Sequence, residues 1–345
     1  MLAAYVARTG DDALANLEVG EQPEPQAAPG WAVLRVTAAS LNHHDLFTLR
    51  GVSSQPVRPP QILGCDAVGT VTAYAGDPPD GAPPVGARVL AYGLITCGRC
   101  SGCRSGDQSL CRTRAMLSEG EYPGSFAELV AVPADNVIAL PDAVEDVAAA
   151  CLGTAYLTAY RMLFTKAALR PGMTVLVQGA SGGVATAAIL LGRGAGLTVL
   201  VTSRDAAKRA LAEELGAAQT FALNRDAAKA ILSATGGGVD AVIETVGEPT
   251  WDLSLRAVRV GGSIVVSGTT GGQNPPAQLT RVFWRQIAIL GSTMGTLAEL
   301  RRLVDLCAQG TLRPLVDRSF PLRDAAEAFA LLQGGAQRGK LVLQP

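Results

Sequence analysis

Charge is scarce in this 345-residue chain: Asp, Glu, Lys and Arg make up 17 % of it, and neither sign forms a run. With 29 Lys and Arg against 30 Asp and Glu, the net charge is −1. The electrostatic footprint of a nucleic-acid or membrane-surface binder is therefore missing, and a small molecule is the expected partner. No repeat period and no low-complexity block occurs, although Gly (39) and Pro (20) are plentiful; they lie scattered between apolar runs and mark many short turns. Met1 to Gly10 lacks a basic flank followed by an apolar core. No secretory signal is expected there, and the cytoplasm is the expected compartment. The longest uncharged stretch, Pro171 to Gly192, has the length of a membrane span. Its glycines and small polar residues argue for a strand, a tight turn and a helix instead.

Apolar residues form 48 % of the chain, which excludes a disordered or heavily solvated polypeptide. The length suits two domains with separate cores. Up to about Pro141 the texture is short β-like runs broken by Gly and Pro, such as Ala32 to Val36, Ala67 to Ala73, Ala87 to Ala91 and Ala127 to Val132. From Asp142 onward, apolar strands alternate with helical stretches, which predicts βαβ units and a parallel sheet. Two amphipathic helices near Leu297–Gln309 and Arg323–Gln333 precede a last strand, Lys340–Gln344. Ending on that strand suggests that the tail returns to the first domain.

The run Val175 to Ala185 reads as strand, glycine turn and first helical turn. Gly182 and Gly183 let the backbone approach a pyrophosphate, and the helix N-terminus offers unpaired N–H groups and the positive end of a dipole. Ala180, Ser181 and Val184 complete that turn. The next strand, Thr198–Thr202, ends in Ser203-Arg204 where an NAD site would place a carboxylate for the ribose hydroxyls. A hydroxyl and a guanidinium suit a 2′-phosphate, with Lys208 one helical turn on, so NADPH is the expected cofactor. The alternative is that Arg204 and Lys208 are solvated at a helix start.

Seven cysteines are present, four of them in Cys97-x2-Cys100-x2-Cys103-x7-Cys111. Two-residue gaps let neighbouring thiolates face one centre, and four sulfurs close a tetrahedral zinc, which makes such a site structural. An iron–sulfur cluster is the rival.

Together these residues resemble the medium-chain dehydrogenase/reductase superfamily of zinc alcohol dehydrogenases and quinone oxidoreductases. The resemblance covers Ser40 to Asp45, Gly64 to Gly69, the cysteine lobe, Gly124 to Glu128, Thr158 to Tyr160, the glycine turn and Gly339-Lys340. It implies an α/β protein: a GroES-like, mostly-β catalytic domain (residues 1–145 and 293–345) enclosing a Rossmann domain (146–292) with a doubly wound parallel sheet. Substrate would lie in the cleft between them, and a homodimer is the expected assembly. It also implies that His43, Thr158, Val184, Thr245, Val246, Ser267, Gly268, Thr269, Ser292, Met294 and Lys340 line the cofactor.

The departures from the family carry more information. Where the alcohol dehydrogenases hold a catalytic zinc with Cys, His and Cys beside a Glu, the matching positions look like Asn42, Cys65, Thr154 and Asp66. Neutral amide and hydroxyl groups bind zinc poorly, so one structural zinc and no catalytic zinc is expected. Hydride would then go to substrates that accept it readily, such as enones, quinones or activated carbonyls. His44 stands at the place of the family's proton-relay hydroxyl and is the leading proton donor. Asn42, Tyr156 and Cys65 are further candidates. Two alternatives stay open: a zinc-dependent alcohol or aldehyde dehydrogenase whose metal site is rebuilt from Cys65, Asp66, Cys151 and a histidine, and a non-catalytic cofactor-binding protein.

Overall fold

Strands buried on both faces can be apolar throughout, and the runs Val175–Val177, Val199–Val201 and Ala241–Ile243 take that place. The computed structural model describes residues 1–345. It divides into one unit of Thr158–Met294 and another of Met1–Leu157 with Gly295–Pro345.

In the Thr158–Met294 unit a six-stranded sheet runs in the spatial order Gln219–Ala222, Thr198–Ser203, Thr174–Gln178, Val239–Glu244, Val258–Val266, Ala288–Gly291. Every pairing is parallel. The chain order reverses between Thr174–Gln178 and Val239–Glu244, and open sheets of this kind bind ligands at the carboxyl ends of strands beside that reversal. The helices Gly183–Gly194, Ala206–Glu214, Ala227–Thr235 and Glu248–Ala257 connect the strands. Leu176, Leu200, Ile231, Val242, Leu255 and Ile264 form the fully buried centre of one of its clusters. The uncharged stretch Pro171 to Gly192 is a strand, a turn and most of a helix, and no helix is long and apolar enough to cross a membrane.

The other unit is built on a seven-stranded sheet in the order Val137–Ala139, Arg88–Ala91, Ala67–Tyr74, Trp31–Ser40, Lys340–Gln344, Val316–Pro321, with Leu129–Pro133 also paired to Trp31–Ser40. A smaller sheet joins Leu17–Glu21, Leu2–Val6 and Gln61–Ile62. Inward residues alternate along Trp31–Ser40, placing Leu34 and Val36 in a core with Val71, Val89, Phe126, Phe329 and Leu343. The last strand does return: Val342 pairs with Ser40.

The sequence boundary at residues 145/146 falls short of the observed one. The helix Asp146–Ala150 packs on the strands Trp31–Ser40 and Ala67–Tyr74. Its Asp146 carboxylate accepts from the Thr37 hydroxyl at 2.6 Å and from the Arg88 guanidinium at 2.5 Å. The first unit therefore keeps the chain to Leu157 and resumes at Gly295. The family resemblance alone places 146–157 with the dinucleotide-binding domain.

Candidate active site

The strand Trp31–Ser40 hands over to the helix His43–Leu49 within two residues, and the Asp45 carboxylate fixes the start by accepting the Asn42 N–H at 2.7 Å. Ser40, Asn42 and His44 are thereby held close to the loop Gly64-Cys65-Asp66. Gly64 has φ +96°, and a Cβ there would collide with the Phe126 ring, so the loop reaches this position only with glycine.

Asp66 is fully buried. One carboxylate oxygen accepts from the Ser40 hydroxyl (2.7 Å) and the Asn42 amide (2.8 Å), and the other accepts from the Thr154 hydroxyl (2.7 Å). The Lys340 ammonium lies 3.9 Å from it and donates to Asn42 Oδ1 at 2.6 Å and to the Leu41 carbonyl at 2.5 Å. Burial pushes the Asp66 carboxyl up, and Lys340 with these donors opposes the rise. A buried charge is tolerated when paired and hydrogen-bonded in this way.

Two expectations change here. Lys340 is 3 % exposed and engaged inside the unit, so it does not present its charge to a cofactor phosphate. Asn42 uses both its amide and its carbonyl on this network, which removes it as a donor to substrate. Tyr156 is corrected too: it is fully buried, and its hydroxyl oxygen accepts the Leu315 N–H at 2.7 Å, tying two segments together.

The same contacts decide the fit of a catalytic zinc. At the positions matched to zinc ligands, Thr154 donates to Asp66 and Asn42 is held by Lys340. Neither offers an anion or an imidazole, so this set does not fit the metal. Cys151 does not rebuild it: its thiol donates to the Val147 carbonyl at 3.4 Å and is pushed up to about 12 by burial. His44, Asp45 and Cys65 do have ligand atoms within 4.8 Å of one another. Yet the Asp45 oxygens already accept the Asn42 and Gly64 N–H groups, and burial pushes the Cys65 thiol up.

His44 Nε2 lies 3.1 Å from Glu119 Oε1. Glu119 also accepts from the Ser53 hydroxyl (3.1 Å), the Ser54 hydroxyl (2.7 Å) and the Met116 N–H (3.1 Å). Burial alone would raise the Glu119 carboxyl, but His44 and Ser54 outweigh it and hold it at about 2. Burial alone would lower His44, but Asp45, Cys65 and Glu119 outweigh it, and the imidazole titrates well above its ordinary range. The signs differ: the Glu119 contribution to stability is present above its ordinary 4.5 and lost as pH falls through about 2, whereas that of His44 is complete below its ordinary 6.5 and lost as pH rises through its raised value. His44 Nδ1 is buried and has no hydrogen-bond partner. His43, the first residue of the helix, is exposed. Glu119 had no signature in the sequence; a lone glutamate in a loop past the cysteines carries no spacing that would single it out.

In the Thr158–Met294 unit, Gly182 caps the helix Gly183–Gly194, and a Cβ built on it meets nothing within 4 Å. Helix N–H groups thus face open space bounded by Ser181, Gly183 and Val184, and Ala180 is buried beneath. These residues fit a pyrophosphate. Ser203 Oγ accepts the Asp205 N–H at 3.2 Å, Arg204 is exposed, and Arg209 braces the turn by donating to the Ser203 carbonyl at 2.8 Å. Lys208 lies in the first turn of the following helix, whose N-cap is the Asp205 carboxylate.

Thr245, Val246, Ser267, Gly268 and Thr269 follow the carboxyl ends of Val239–Glu244 and Val258–Val266. Ser292 follows Ala288–Gly291 and has a buried hydroxyl without a partner. Thr158 and Met294, at the two ends of this unit, are buried. Under the strand ends runs a polar chain absent from the sequence reading: Thr202 donates to Gln178, Gln178 to Ser254 at 3.0 Å, and Ser254 to the buried Glu244 at 2.6 Å.

The four lobe cysteines converge, with Sγ separations of 3.5 Å (Cys100–Cys103), 3.6 Å (Cys97–Cys111) and 4.0 Å (Cys97–Cys103). A tetrahedral zinc with Zn–S near 2.3 Å requires sulfurs about 3.8 Å apart. The set fits that ion. The N–H groups of Arg99 and Cys100 lower the Cys97 thiol to about 6.

Residues 28–142 match the family model for the alcohol dehydrogenase GroES-like domain, and residues 183–309 match the one for zinc-binding dehydrogenase. An acryloyl-coenzyme A reductase of Metallosphaera sedula is 30 % identical over 331 residues, 94 % of this chain and 96 % of the relative. An alcohol dehydrogenase of Geobacillus stearothermophilus is 30 % identical over 333 residues, 95 % of each chain. Among solved structures, an NAD-dependent alcohol dehydrogenase superposes with a TM-score of 0.92 at 33 % identity, covering 100 % of both chains. The crystal structure of AibC follows with a TM-score of 0.90 at 32 % identity, covering 100 % of this chain and 96 % of that one. With its GroES-like and parallel dinucleotide-binding units and these relatives, the chain belongs to the zinc-type medium-chain dehydrogenase/reductase superfamily of oxidoreductases.

Proposed function

We propose that this oxidoreductase reduces an activated double bond or carbonyl with NADPH, without a zinc at the reacting centre, and that His44 returns the proton. The observation that carries the reading is the Asn42–Asp66–Thr154–Lys340 network, in which hydrogen bonds among the protein's own groups stand where relatives of the alcohol dehydrogenase type hold a metal. Lacking a Lewis acid there, the enzyme favours substrates that accept hydride without one. The names of the acryloyl-coenzyme A reductases of Metallosphaera sedula and Sulfurisphaera tokodaii favour an alkene conjugated to a thioester.

Bound NADPH supplies the hydride. The Gly182–Val184 turn would hold its pyrophosphate, and Ser203 with Arg204 would take the 2′-phosphate. When hydride reaches the β-carbon of a conjugated alkene, the π pair moves toward the carbonyl oxygen, and His44 transfers a proton to the resulting enolate. For a carbonyl substrate the alkoxide takes that proton. The imidazole regains one from solvent, so NADPH and one proton are consumed per turnover.

Zinc content and NADPH oxidation against acryloyl thioesters, enones, quinones and aldehydes test this together. One zinc per chain with turnover of an activated substrate supports it. Two zincs, with activity lost when the second is removed, favour the alcohol dehydrogenase alternative. NADPH binding without turnover of any of these favours a non-catalytic protein.

Arg204→Ala should weaken NADPH binding by about 10-fold or more, the scale of a charge-assisted hydrogen bond, and leave NADH binding nearly unchanged. Titration of both dinucleotides checks it, and equal losses for the two would count against the 2′-phosphate assignment.

The assembly we propose is a homodimer through the edge of the parallel sheet. Ala288–Gly291 is an edge strand, and beside it Leu279, Phe283 and Trp284 are 72 %, 65 % and 78 % exposed on one short helix. A second copy related by a two-fold axis would extend the sheet and cover these side chains. Light scattering should give twice the chain mass for the native protein and the monomer mass for Trp284→Glu.

A further inference from the structure

We infer that Glu119 is the positioning residue of His44, holding the imidazole in one orientation through a contact to Nε2. This rests on His44 being the donor and extends that reading to a residue 75 positions away in the chain.

Nε2 is tied to the Glu119 carboxylate at 3.1 Å, and the buried Nδ1 lies 3.9 Å from the Asp45 carboxylate on the same helix. The carboxylate is itself immobilised by Ser53, Ser54 and the Met116 N–H, so the ring it holds has little freedom to turn. The carboxylate against Nε2 favours the neutral tautomer that keeps its proton on that nitrogen.

The ionisable groups facing His44 are Asp45 on its own helix, with Oδ1 3.9 Å from Nδ1, Cys65 on the neighbouring loop, and Glu119. Behind Cys65, Asp66 and Lys340 offset one another. Of the three facing groups, Glu119 alone engages Nε2 by a short contact. Its charge keeps the imidazole protonated to higher pH, where a donor is needed.

The chain contains two histidines, so the ring signals of His44 can be followed by NMR with exposed His43 as an internal reference. In zinc-loaded Glu119→Gln, the His44 titration and the alkaline limb of the kcat profile should both move to lower pH by about one to three pH units, the effect of losing an adjacent opposite charge. His43 and NADPH affinity should stay in place, and Glu119→Asp should restore much of the shift. Ser54→Ala removes a hydrogen bond from the carboxylate without removing its charge and should move the limb the other way, to higher pH. That opposite sign is one that a general loss of packing would not produce, and it keeps the test open if Glu119→Gln folds poorly. An unmoved His44 titration and limb in Glu119→Gln would overturn the inference. If instead His44→Ala keeps full turnover, it is the donor assignment that fails.

Discussion

His44→Ala should lower kcat by about 10²- to 10⁴-fold, the range that a positioned general acid contributes, while NADPH affinity changes little. Proton delivery acts on charge that develops in the transition state, so its loss falls on turnover and not on ground-state binding. The pH dependence follows from the same residue. The imidazole must be protonated to act, and Asp45, Cys65 and Glu119 raise its titration well above the ordinary 6.5. Activity should hold through neutral pH and decline as pH rises through that raised value. Steady-state rates with the best activated substrate, measured alongside NADPH titration, check both parts. Unimpaired turnover in His44→Ala would transfer the donor role to another group, and Cys65 is the adjacent candidate.

The second large effect is expected at the cysteine lobe. Cys103→Ser removes one of four converging sulfurs and should reduce bound zinc from one per chain toward none. Because ligand assembly and metal binding are coupled to folding, Tm should drop by about 5–10 °C. Hydride transfer in whatever protein remains folded should be nearly unchanged, since a closed four-sulfur site has no open position for substrate. Elemental analysis, thermal unfolding and single-turnover rates separate the effects. Iron with sulfide in the native protein would replace the zinc by a cluster, and a single-turnover rate that falls with the metal would give the lobe a part in the chemistry.

The cysteine lobe and the glycine turn were legible from sequence because both are local. Cys97 to Cys111 carry their spacing within one loop, and Gly182 stands between an apolar strand and a helix that together announce the turn. Glu119 was not legible because its partner is 75 residues distant and only the folded chain brings them together. Lys340 was misread for a related reason. The family resemblance puts this lysine near a phosphate, but the strand it opens pairs beside Trp31–Ser40 and directs the ammonium to Leu41 and Asn42. Tyr156 is hidden in a π-helical turn, Leu152–Tyr156, whose altered winding no apolar periodicity announces.

The pairing of the final strand with Trp31–Ser40 has a consequence for biosynthesis. A ribosome releases Thr158–Met294 as one uninterrupted stretch, so that unit can close its sheet while translation continues. The other unit cannot. Its central strand pairs with Leu129–Pro133 over Trp31–Arg35, but the Ala39–Ser40 end waits for a neighbour encoded some three hundred codons later, and until Lys340 emerges the Asp66 carboxylate has only neutral donors around it. The Ala39–Ser40 end of that strand therefore stays unpaired on this side until Lys340–Gln344 emerges. A message interrupted just before Lys340 should yield a product with a completed dinucleotide-binding unit and an aggregation-prone remainder, a vulnerability that follows from where the last strand lies in the gene.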